Sequence, residues 1–299
     1  MASPLLIQQI LVPLDFSNAS LNAVDHAVTL AKLSNAAITL IHVTEHFNDS
    51  ASSLFVPVLQ TEMFEKEVWN AVDRSLRDVQ EKIVQQGIKT VEVMAVTGRT
   101  YKEIVLAAKK RNVDIIVMGT HGVSGFQEFA TGSNTYRVIN DAPCPVMSVQ
   151  AKIKATKFKN ILVPFSTSPH SREKLMYAIK VAQLYGATLH VLGIDEKSEK
   201  VQLNKIGFEA LQIKNLADAA NIKSKVKTMD GIYNSNTILD YADEIKADLI
   251  IIMGDAIKQD VTEYFIGSAS QAIINHSKIP VLSIHSKVSK ELLKAWQEL

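Results

Sequence analysis

The sequence has little cysteine, almost no excess charge and no long apolar run, and each absence excludes a class of protein. Its single cysteine, Cys144, excludes an internal disulfide and a zinc site built from several cysteines, as is typical of a reducing cytosol. The 32 basic residues almost balance the 31 acidic ones, so no nucleic-acid partner is expected. The densest apolar run, Leu249 to Met253, is far shorter than the ~18 residues that cross a bilayer. The segment Met1 to Ile10 lacks the basic residues of a secretory signal. We therefore expect a cytoplasmic protein without a membrane partner.

The chain contains two copies of one domain. Residues 10–43 align without a gap to residues 161–194 at an offset of 151, with ten identities in 34 pairs. A second block aligns residues 118–149 with residues 253–284 at an offset of 135, again with ten identities. The offsets differ by 16, so the first copy carries about 16 extra residues, which we place in segment 45–65. We predict domains at 1–151 and 157–287.

One irregularity precedes the second aligned block. Asp114 lies five residues before Gly119, whereas Asp248 lies six residues before Gly254. The alignment therefore carries a one-residue difference just before a loop that matters below.

Within each copy, short apolar strands alternate with amphipathic helices. In the first copy the pattern predicts strands at 7–14, 38–43, 91–96, 114–118 and 145–149, and later helices at 63–86, 101–111 and 133–140. Ser17 or Ser20 is expected to cap the first helix, and Gly87 to end the second. Strands separated by helices require crossover connections, so the sheet should be parallel and covered on both faces. The predicted fold class is α/β, with two tandem doubly wound domains.

Two segments at strand ends are candidates for a ligand site. Pro13-Leu14-Asp15 follows the first strand, and Gly119-Thr-His-Gly122 follows the fourth and leads to Gly132-Ser133 at the start of a helix. Open parallel sheets bind ligands at the carboxyl ends of their strands. Glycines let backbone N–H groups approach an anion, and a helix N-terminus adds donors and a favourable dipole. A phosphate chain is the expected occupant, although the spacing matches no Walker or dinucleotide loop and plain turn glycines are the alternative.

The motifs taken together resemble the universal stress protein family. They are Ile10-Leu-Val-Pro-Leu-Asp-Phe-Ser17, Asp114-Ile-Ile-Val-Met-Gly-Thr-His-Gly122, Gly119-x2-Gly122-x9-Gly132-Ser133 and Cys144-Pro-Val-Met-Ser-Val149. The resemblance covers nearly all of both copies. It implies a five-stranded parallel sheet of order 3-2-1-4-5 in each domain, a fold of the adenine nucleotide alpha hydrolase-like type. Strands one and four are neighbours in that order, so the two candidate segments would flank one crevice.

The resemblance also implies a ligand, ATP, accompanied by Mg or Mn. The residues that it assigns to the nucleotide are Pro13, Asp15, Val43, Met118, Gly119, Gly122, Gly132, Ser133 and Asn134. The glycines, Ser133 and Asn134 would hold the phosphates and ribose, and the others would line the nucleoside. Asp15 would bond the ribose or the adenine, or help to hold the divalent cation through water, and capping of the helix that begins near Ser17 is its alternative role. No Walker lysine is present, so backbone dipoles, a divalent ion and solvent must meet the triphosphate charge.

The second copy departs from the family pattern at two positions. Ile257 replaces the second glycine, and Ser166 replaces the aspartate after the first strand. A branched side chain would keep the backbone away from a phosphate, and Asp255 and Asp260 add negative charge to the same loop. We expect the second site to be degenerate.

Other chemical motifs are weak. His42-Val-Thr-Glu-His46 spells the inverted zinc-protease motif, but His42 is expected in a strand, where the two imidazoles cannot share a helix face, so no metal site is assigned. Ser124 lacks the remainder of a nucleophile elbow, and no catalytic residue is assigned. His121 is either a phosphate contact or an ordinary loop residue. The tail 288–299 carries Val288, Leu292, Leu293 and Trp296 at helical spacing and predicts a helix that docks on the body or on another chain.

These observations predict a tandem protein that binds ATP in its first domain and acts as a nucleotide-responsive stress or signalling module. The resemblance also implies that the two domains pair through their fifth strands as an intramolecular pseudo-dimer, and that two chains form a homodimer. A weak ATPase or autophosphorylating enzyme at the same site is an alternative, although the loops offer no convincing general base. A nucleotide-free interaction protein is the third possibility.

Overall fold

The protein is described by a computed structural model that covers residues 7–45, 62–120, 133–150, 157–165, 171–195, 200–230, 234–253 and 268–284. The first half contains β1 (Gln9–Pro13), α1 (Asn18–Ser34), β2 (Ala37–Thr44), α2 (Glu62–Gln85), β3 (Val91–Thr97), α3 (Thr100–Lys110), β4 (Ile115–Gly119), α4 (Ser133–Asp141) and β5 (Val146–Val149). These bounds agree with the predicted elements to within two residues. The predicted tail helix and most of segment 45–65 lie outside the described residues.

The second half repeats the same succession of elements. It contains β6 (Asn160–Phe165), α5 (Ser171–Tyr185), β7 (Thr188–Asp195), α6 (Lys200–Ala219), β8 (Ser224–Asp230), α7 (Ser235–Glu244), β9 (Leu249–Met253), α8 (Ser268–His276) and β10 (Val281–Ile284). None of the helices in the described ranges is long and apolar enough to cross a membrane.

The ten strands in the described ranges form one sheet of order β3-β2-β1-β4-β5-β10-β9-β6-β7-β8. Neighbouring strands are parallel within each half, and the halves join through the antiparallel pair β5 and β10. Counted from its own first strand, each half has the order 3-2-1-4-5. The α/β class is therefore confirmed, and β1 lies beside β4, with Ile10 paired to Ile115.

Apolar side chains fill the two faces of this sheet. One core packs α1, α2, α5 and α6 against the first face, and the other packs α3, α4, α7 and α8 against the second. Cys144 is buried in the second core, where desolvation raises the pKa of its thiol to about 12. Each core extends through both halves, because β5 pairs with β10 and the equivalent helices of the two halves lie on the same face of the sheet.

Side chains from both copies meet at the junction of the two halves. The hydroxyl of Ser148 in β5 donates to the carbonyl oxygen of Val281 in β10 at 3.2 Å. The side-chain amide of Gln150, the residue after β5, donates to the carbonyl oxygen of Ser277, just beyond α8. Asn22 of α1 donates to the carbonyl oxygen of Gln150 at 2.5 Å. The end of β5 is thus hydrogen-bonded to both copies.

The register of β9 corrects the repeat alignment. Ile10 pairs with Ile115 in the first copy, and the corresponding Ile161 pairs with Leu249, so the offset along the fourth strand is 134. The residue equivalent to Gly119 is therefore Met253, and the pairing of Gly119 with Gly254 is wrong. The offset is 135 again at β5 and β10, where Val146 pairs with Ile116 and Val281 with Ile250. The second copy thus has one extra residue between β9 and α8.

The aspartates that precede the fourth strands explain this register. A carboxylate oxygen of Asp114 accepts hydrogen bonds from the backbone N–H groups of Gln8 and Gln9 at 2.7 and 2.9 Å. Asp248 accepts the same pair of bonds from Lys159 and Asn160 at 2.8 and 2.9 Å. The two carboxylates tie each fourth strand to the start of its first strand, so they are equivalent, and the extra residue must follow them.

Candidate nucleotide site

A tight turn follows β1 at the carboxyl edge of the sheet. The Oδ1 atom of Asp15 accepts hydrogen bonds from the backbone N–H of Ser17 at 3.0 Å and from its hydroxyl at 2.6 Å. Ser17 is the N-cap of α1 and accepts from the N–H of Ser20, which settles the choice between the two candidate caps. Phe16 has a φ of 64°, in the left-handed region that a bulky residue rarely adopts, and this conformation closes the turn. The Oδ1 atom of Asp15 therefore holds the turn that precedes α1, whereas the cap of the helix is Ser17, so the capping alternative for Asp15 is wrong.

The histidine of the protease-like motif supports the same turn. The Nδ1 atom of His42 lies 2.7 Å from the carbonyl oxygen of Leu14, and its ring lies 5.2 Å from the ring of Phe16. This contact occupies one ring nitrogen with a backbone group, while His46 lies outside the described residues. Among those residues, no three histidine, cysteine or acidic side chains cluster in a way that would hold a metal ion.

Gly119, the last residue of β4, is needed for the close approach of α1. A Cβ atom at this position would lie 2.7 Å from the carbonyl carbon of Ala19 and 2.8 Å from the backbone nitrogen of Ser20. Because both atoms belong to the backbone of the first turn of α1, they cannot move aside cheaply. The absence of a side chain at Gly119 thus brings the Asp15 turn to the end of β4.

The first turn of α4 is fixed to the same strand end. The hydroxyl of Thr135 donates to the carbonyl oxygen of Gly119 at 3.1 Å. The backbone N–H of Thr120 donates to the carbonyl oxygen of Val149 at 2.9 Å, so the chain leaves β4 along the end of β5. The first turns of α1 and α4 therefore both contact Gly119, which places the positive ends of their dipoles at the carboxyl end of β4, beside the predicted crevice.

The remaining predicted residues occupy different positions around this crevice. Pro13 is half-buried at the end of β1, and half-buried Val43 packs against the second core from β2. Met118 belongs to the second core and is almost fully buried. The backbone of Ser133 begins α4, and half-buried Asn134 follows it. The predicted site residues Gly122 and Gly132 lie outside the described residues.

The basic side chain of α4, Arg137, is already engaged by an aromatic ring. The guanidinium group of Arg137 lies 5.1 Å from the centre of the Tyr101 ring, at the start of α3. The donors that the described residues offer to an anion in the crevice are therefore chiefly backbone N–H groups at the two helix N-termini.

The second copy differs at this crevice in two ways that sequence reasoning missed. Met253 stands where Gly119 stands, and Lys174 of α5 stands where Ala23 of α1 is fully buried. The ammonium group of Lys174 is buried and donates to the carbonyl oxygen of Pro164 in β6. The sequence did carry a signal for the second change, because Lys174 aligns with Ala23, which is buried in the first copy. Both changes place larger side chains where the first copy keeps its first strand, fourth strand and first helix in close contact.

The fold and crevice define a duplicated, doubly wound α/β protein, and comparison with known proteins identifies its family. The model of the universal stress protein family matches residues 7–150 and 157–285. The chain belongs to the universal stress protein family, with one match in each half.

Similar proteins are found for one half and for the whole chain. Universal stress protein YxiE of Bacillus subtilis is 33% identical over 149 residues, which cover 48% of this chain and 100% of that protein. Universal stress protein MJ0531 of Methanocaldococcus jannaschii is 33% identical over 150 residues, covering 48% of this chain and 83% of that protein. The crystal structure of a universal stress protein from Archaeoglobus fulgidus matches 94% of this chain and 98% of its own, with 23% identity and a TM-score of 0.73. The fold of the full tandem chain is thus shared with a solved structure.

Proposed function

We propose that the first copy binds ATP in the crevice between the ends of β1 and β4, and that the chain acts as a nucleotide-responsive stress or signalling module. The observation that carries this proposal is the packing of α1 on Gly119 together with the Thr135 bond to the same residue. These contacts bring two helix N-termini and the Asp15 turn to one crevice. Family membership supports the same site.

The chemistry of the crevice suits a phosphate chain that arrives with a divalent cation. Backbone N–H groups at the starts of α1 and α4 provide donors without fixed positive side chains. Mg²⁺ or Mn²⁺ bound to the triphosphate supplies the missing positive charge. Asp15 is half-buried at the edge of the crevice, and a carboxylate is a preferred ligand for either ion, directly or through water.

The second copy is proposed to bind ATP weakly or not at all. Met253 and the buried ammonium group of Lys174 occupy the place of Gly119 and Ala23, and Ser166 and Ile257 replace two further residues of the pattern. The two family domains, at 1–151 and 157–287, are proposed to act as a pseudo-dimer. The antiparallel pairing of β5 with β10 supports this arrangement. A homodimer of chains in the cytoplasm is proposed on the resemblance alone.

Identification of the released ligand by mass spectrometry, followed by titration calorimetry with ATP and Mg²⁺, tests the proposal. We expect ATP in the purified protein or binding of one ATP per chain. Gly122→Ile, which puts a branched side chain into the predicted phosphate loop, should abolish that binding, whereas Ile257→Val should leave it unchanged. Absence of nucleotide in both measurements would refute the proposal, and two ATP molecules per chain would refute its second part.

A further inference from the structure

The antiparallel pair β5 and β10 places the predicted crevice of the first copy beside the second copy. Neighbouring strands are parallel within each half, so the strands of the two halves run in opposite directions. The carboxyl ends of β1 and β4 therefore lie on the same side of the sheet as the segments that precede β10 and β9. Residues of the second copy thus border a site that belongs to the first.

The register of three strands sets the distance between the two copies at this side of the sheet. Gly119 pairs with Val149 in β5, and Ser148, one residue earlier, pairs with Val281, the first residue of β10. Two strand spacings, roughly 10 Å, therefore separate the end of β4 from the start of β10. Lys278 lies three residues before Val281, in the connection between α8 and β10. A lysine side chain extends roughly 6 Å from its Cα atom, so its ammonium group can span much of that distance.

Hydrogen bonds on both sides of Lys278 hold its backbone at the junction. The side-chain amide of Gln150 donates to the carbonyl oxygen of Ser277, and Asn22 of α1 donates to the carbonyl oxygen of Gln150 at 2.5 Å. The hydroxyl of Ser277 donates to the carbonyl oxygen of Ile279 at 2.7 Å. The backbone that carries the lysine is therefore bonded to the first copy, while its side chain is exposed and forms no ion pair with any described residue.

The two copies differ in charge at the reciprocal positions. At the offset of 135 that relates β5 to β10, Lys278 corresponds to Pro143, and His276 at the end of α8 corresponds to Asp141 at the end of α4. By the same antiparallel pairing, Pro143 and Asp141 lie on the side of the sheet where β9 ends. The crevice proposed to bind ATP thus has basic neighbours from the other copy, and the crevice proposed to be degenerate has an acidic one.

The phosphates of a bound nucleotide need positive charge that α1 and α4 do not bring to their first turns. Lys32 is in the last turn of α1, and Arg137 of α4 lies against the Tyr101 ring. An ammonium group is a compact donor that forms short, charge-assisted hydrogen bonds with phosphate oxygens. We infer that Lys278 binds the terminal phosphates of the ATP in the first copy, so that the second copy completes the nucleotide site. This inference rests on the proposed function.

The dependence of affinity on the number of phosphates tests the inference. In titration calorimetry with Mg²⁺, Lys278→Met should weaken ATP binding by about tenfold, because one charge-assisted hydrogen bond is lost. Binding of AMP, which lacks the terminal phosphates, should stay unchanged, and Lys278→Arg should retain ATP binding. A lysine just beyond a helix also stabilises the negative end of the helix dipole, but loss of that contribution would not distinguish ATP from AMP.

Two control variants keep the comparison specific. Lys223→Met removes an exposed lysine on the same side of the sheet before β8, six strand spacings or roughly 29 Å from β4, beyond the Debye length of about 10 Å. It should leave ATP affinity unaltered, as should Asp141→Asn. Unchanged ATP affinity in Lys278→Met would overturn this inference and leave the proposed function intact, and an equal loss for ATP and AMP would do the same. Failure of the original protein to bind ATP would overturn both.

Chemical labelling locates the lysine by a second measurement. In an acyl phosphate derivative of ATP, the acyl group is attached to the terminal phosphate. A nearby lysine amine attacks the acyl carbon, loses a proton and forms an amide, and the bond to the phosphate breaks to release ATP. We expect mass spectrometry to find the label on Lys278, suppressed by excess ATP, and none on Lys223. Labelling of other lysines alone, in a protein that binds ATP, would overturn the inference.

Discussion

The hydroxyl of Thr135 donates a hydrogen bond to the carbonyl oxygen of Gly119 at 3.1 Å, and this bond holds the start of α4 against the end of β4. In the second copy, Ser270 makes the same bond to Met253 at 3.2 Å. One copy has a glycine at the strand end and the other a methionine, yet the helix start is fixed in the same way. The bond is therefore a structural device of both halves, and only the first half combines it with close packing of α1.

Replacement of Thr135 by valine should weaken ATP binding by about fivefold. The substitution keeps the shape of the side chain and removes one hydrogen bond, which is worth about 1 kcal/mol, and so loosens the helix start that faces the phosphates. Titration calorimetry with ATP and Mg²⁺ measures the change. Ser270→Ala removes the matching bond in the second copy and should leave ATP affinity unaltered. Equal affinities for the Thr135 variant and the original protein would show that α4 does not contact the nucleotide.

Replacement of Gly119 by alanine should destabilise the protein by about 1–3 kcal/mol, because the new methyl group meets backbone atoms of Ala19 and Ser20. Urea unfolding gives the free energy. Gly207→Ala provides a control of opposite sign, since nothing lies within 4 Å of the added methyl group and alanine favours the helix by up to about 1 kcal/mol. A Gly119 variant as stable as the original protein would mean that α1 sits further from β4 than described.

The succession of strands and helices was predictable because the strands are short apolar runs and most helices have apolar residues at helical spacing. Gly87, which was expected to end the second helix, has a φ of 95° just after α2. The register of β9 was not predictable from matching letters, since Gly254 lies next to the true equivalent of Gly119. The pairing of the fourth strands with the first strands and the hydrogen bonds of Asp114 and Asp248 distinguish the two alignments, and the unequal spacing of these aspartates from the glycines is the signal in the sequence.

The sequence predicts that the ends of β1 and β4 are neighbours, which the sheet confirms, while the nucleotide site at these strand ends stays a prediction. The pattern predicts that Gly119 contacts a phosphate, and the structure adds a packing role that the pattern does not predict, since Gly119 makes room for the first turn of α1. That contact joins residues about a hundred positions apart, so no local pattern reveals it. Lys174 was overlooked for a similar reason, because its significance depends on the buried alanine that it replaces in the other copy.

Two substitutions of Asp15 separate its role in the turn from a role in ATP binding. Asp15→Asn keeps an oxygen that accepts from Ser17, so its free energy of unfolding should stay within about 0.5 kcal/mol, whereas Asp15→Ala should lose about 1 kcal/mol. Both variants lack the charge, and both should bind ATP with Mg²⁺ more weakly than the original protein. Urea unfolding and titration calorimetry provide the two readings. Unchanged affinity in Asp15→Asn would restrict this carboxylate to the turn.

The stability of the protein should decrease below about pH 6.5 because of His190. The Nε2 atom of this buried ring lies 3.1 Å from the side-chain oxygen of Asn160, and Nδ1 is buried without a hydrogen-bond partner. Burial, and then the charge of Lys225, lower the pKa of the imidazole. As the pH falls through the ordinary histidine pKa, His190 takes up a proton in the unfolded chain, whereas the buried imidazole of the folded protein stays neutral. The free energy of unfolding should then fall by at most about 1.4 kcal/mol per pH unit until the lowered folded pKa is reached.

Urea unfolding at several pH values measures this slope. His190→Thr, which introduces the residue found at position 39 in the first copy, should flatten it, and an unchanged slope would assign the pH dependence to other groups.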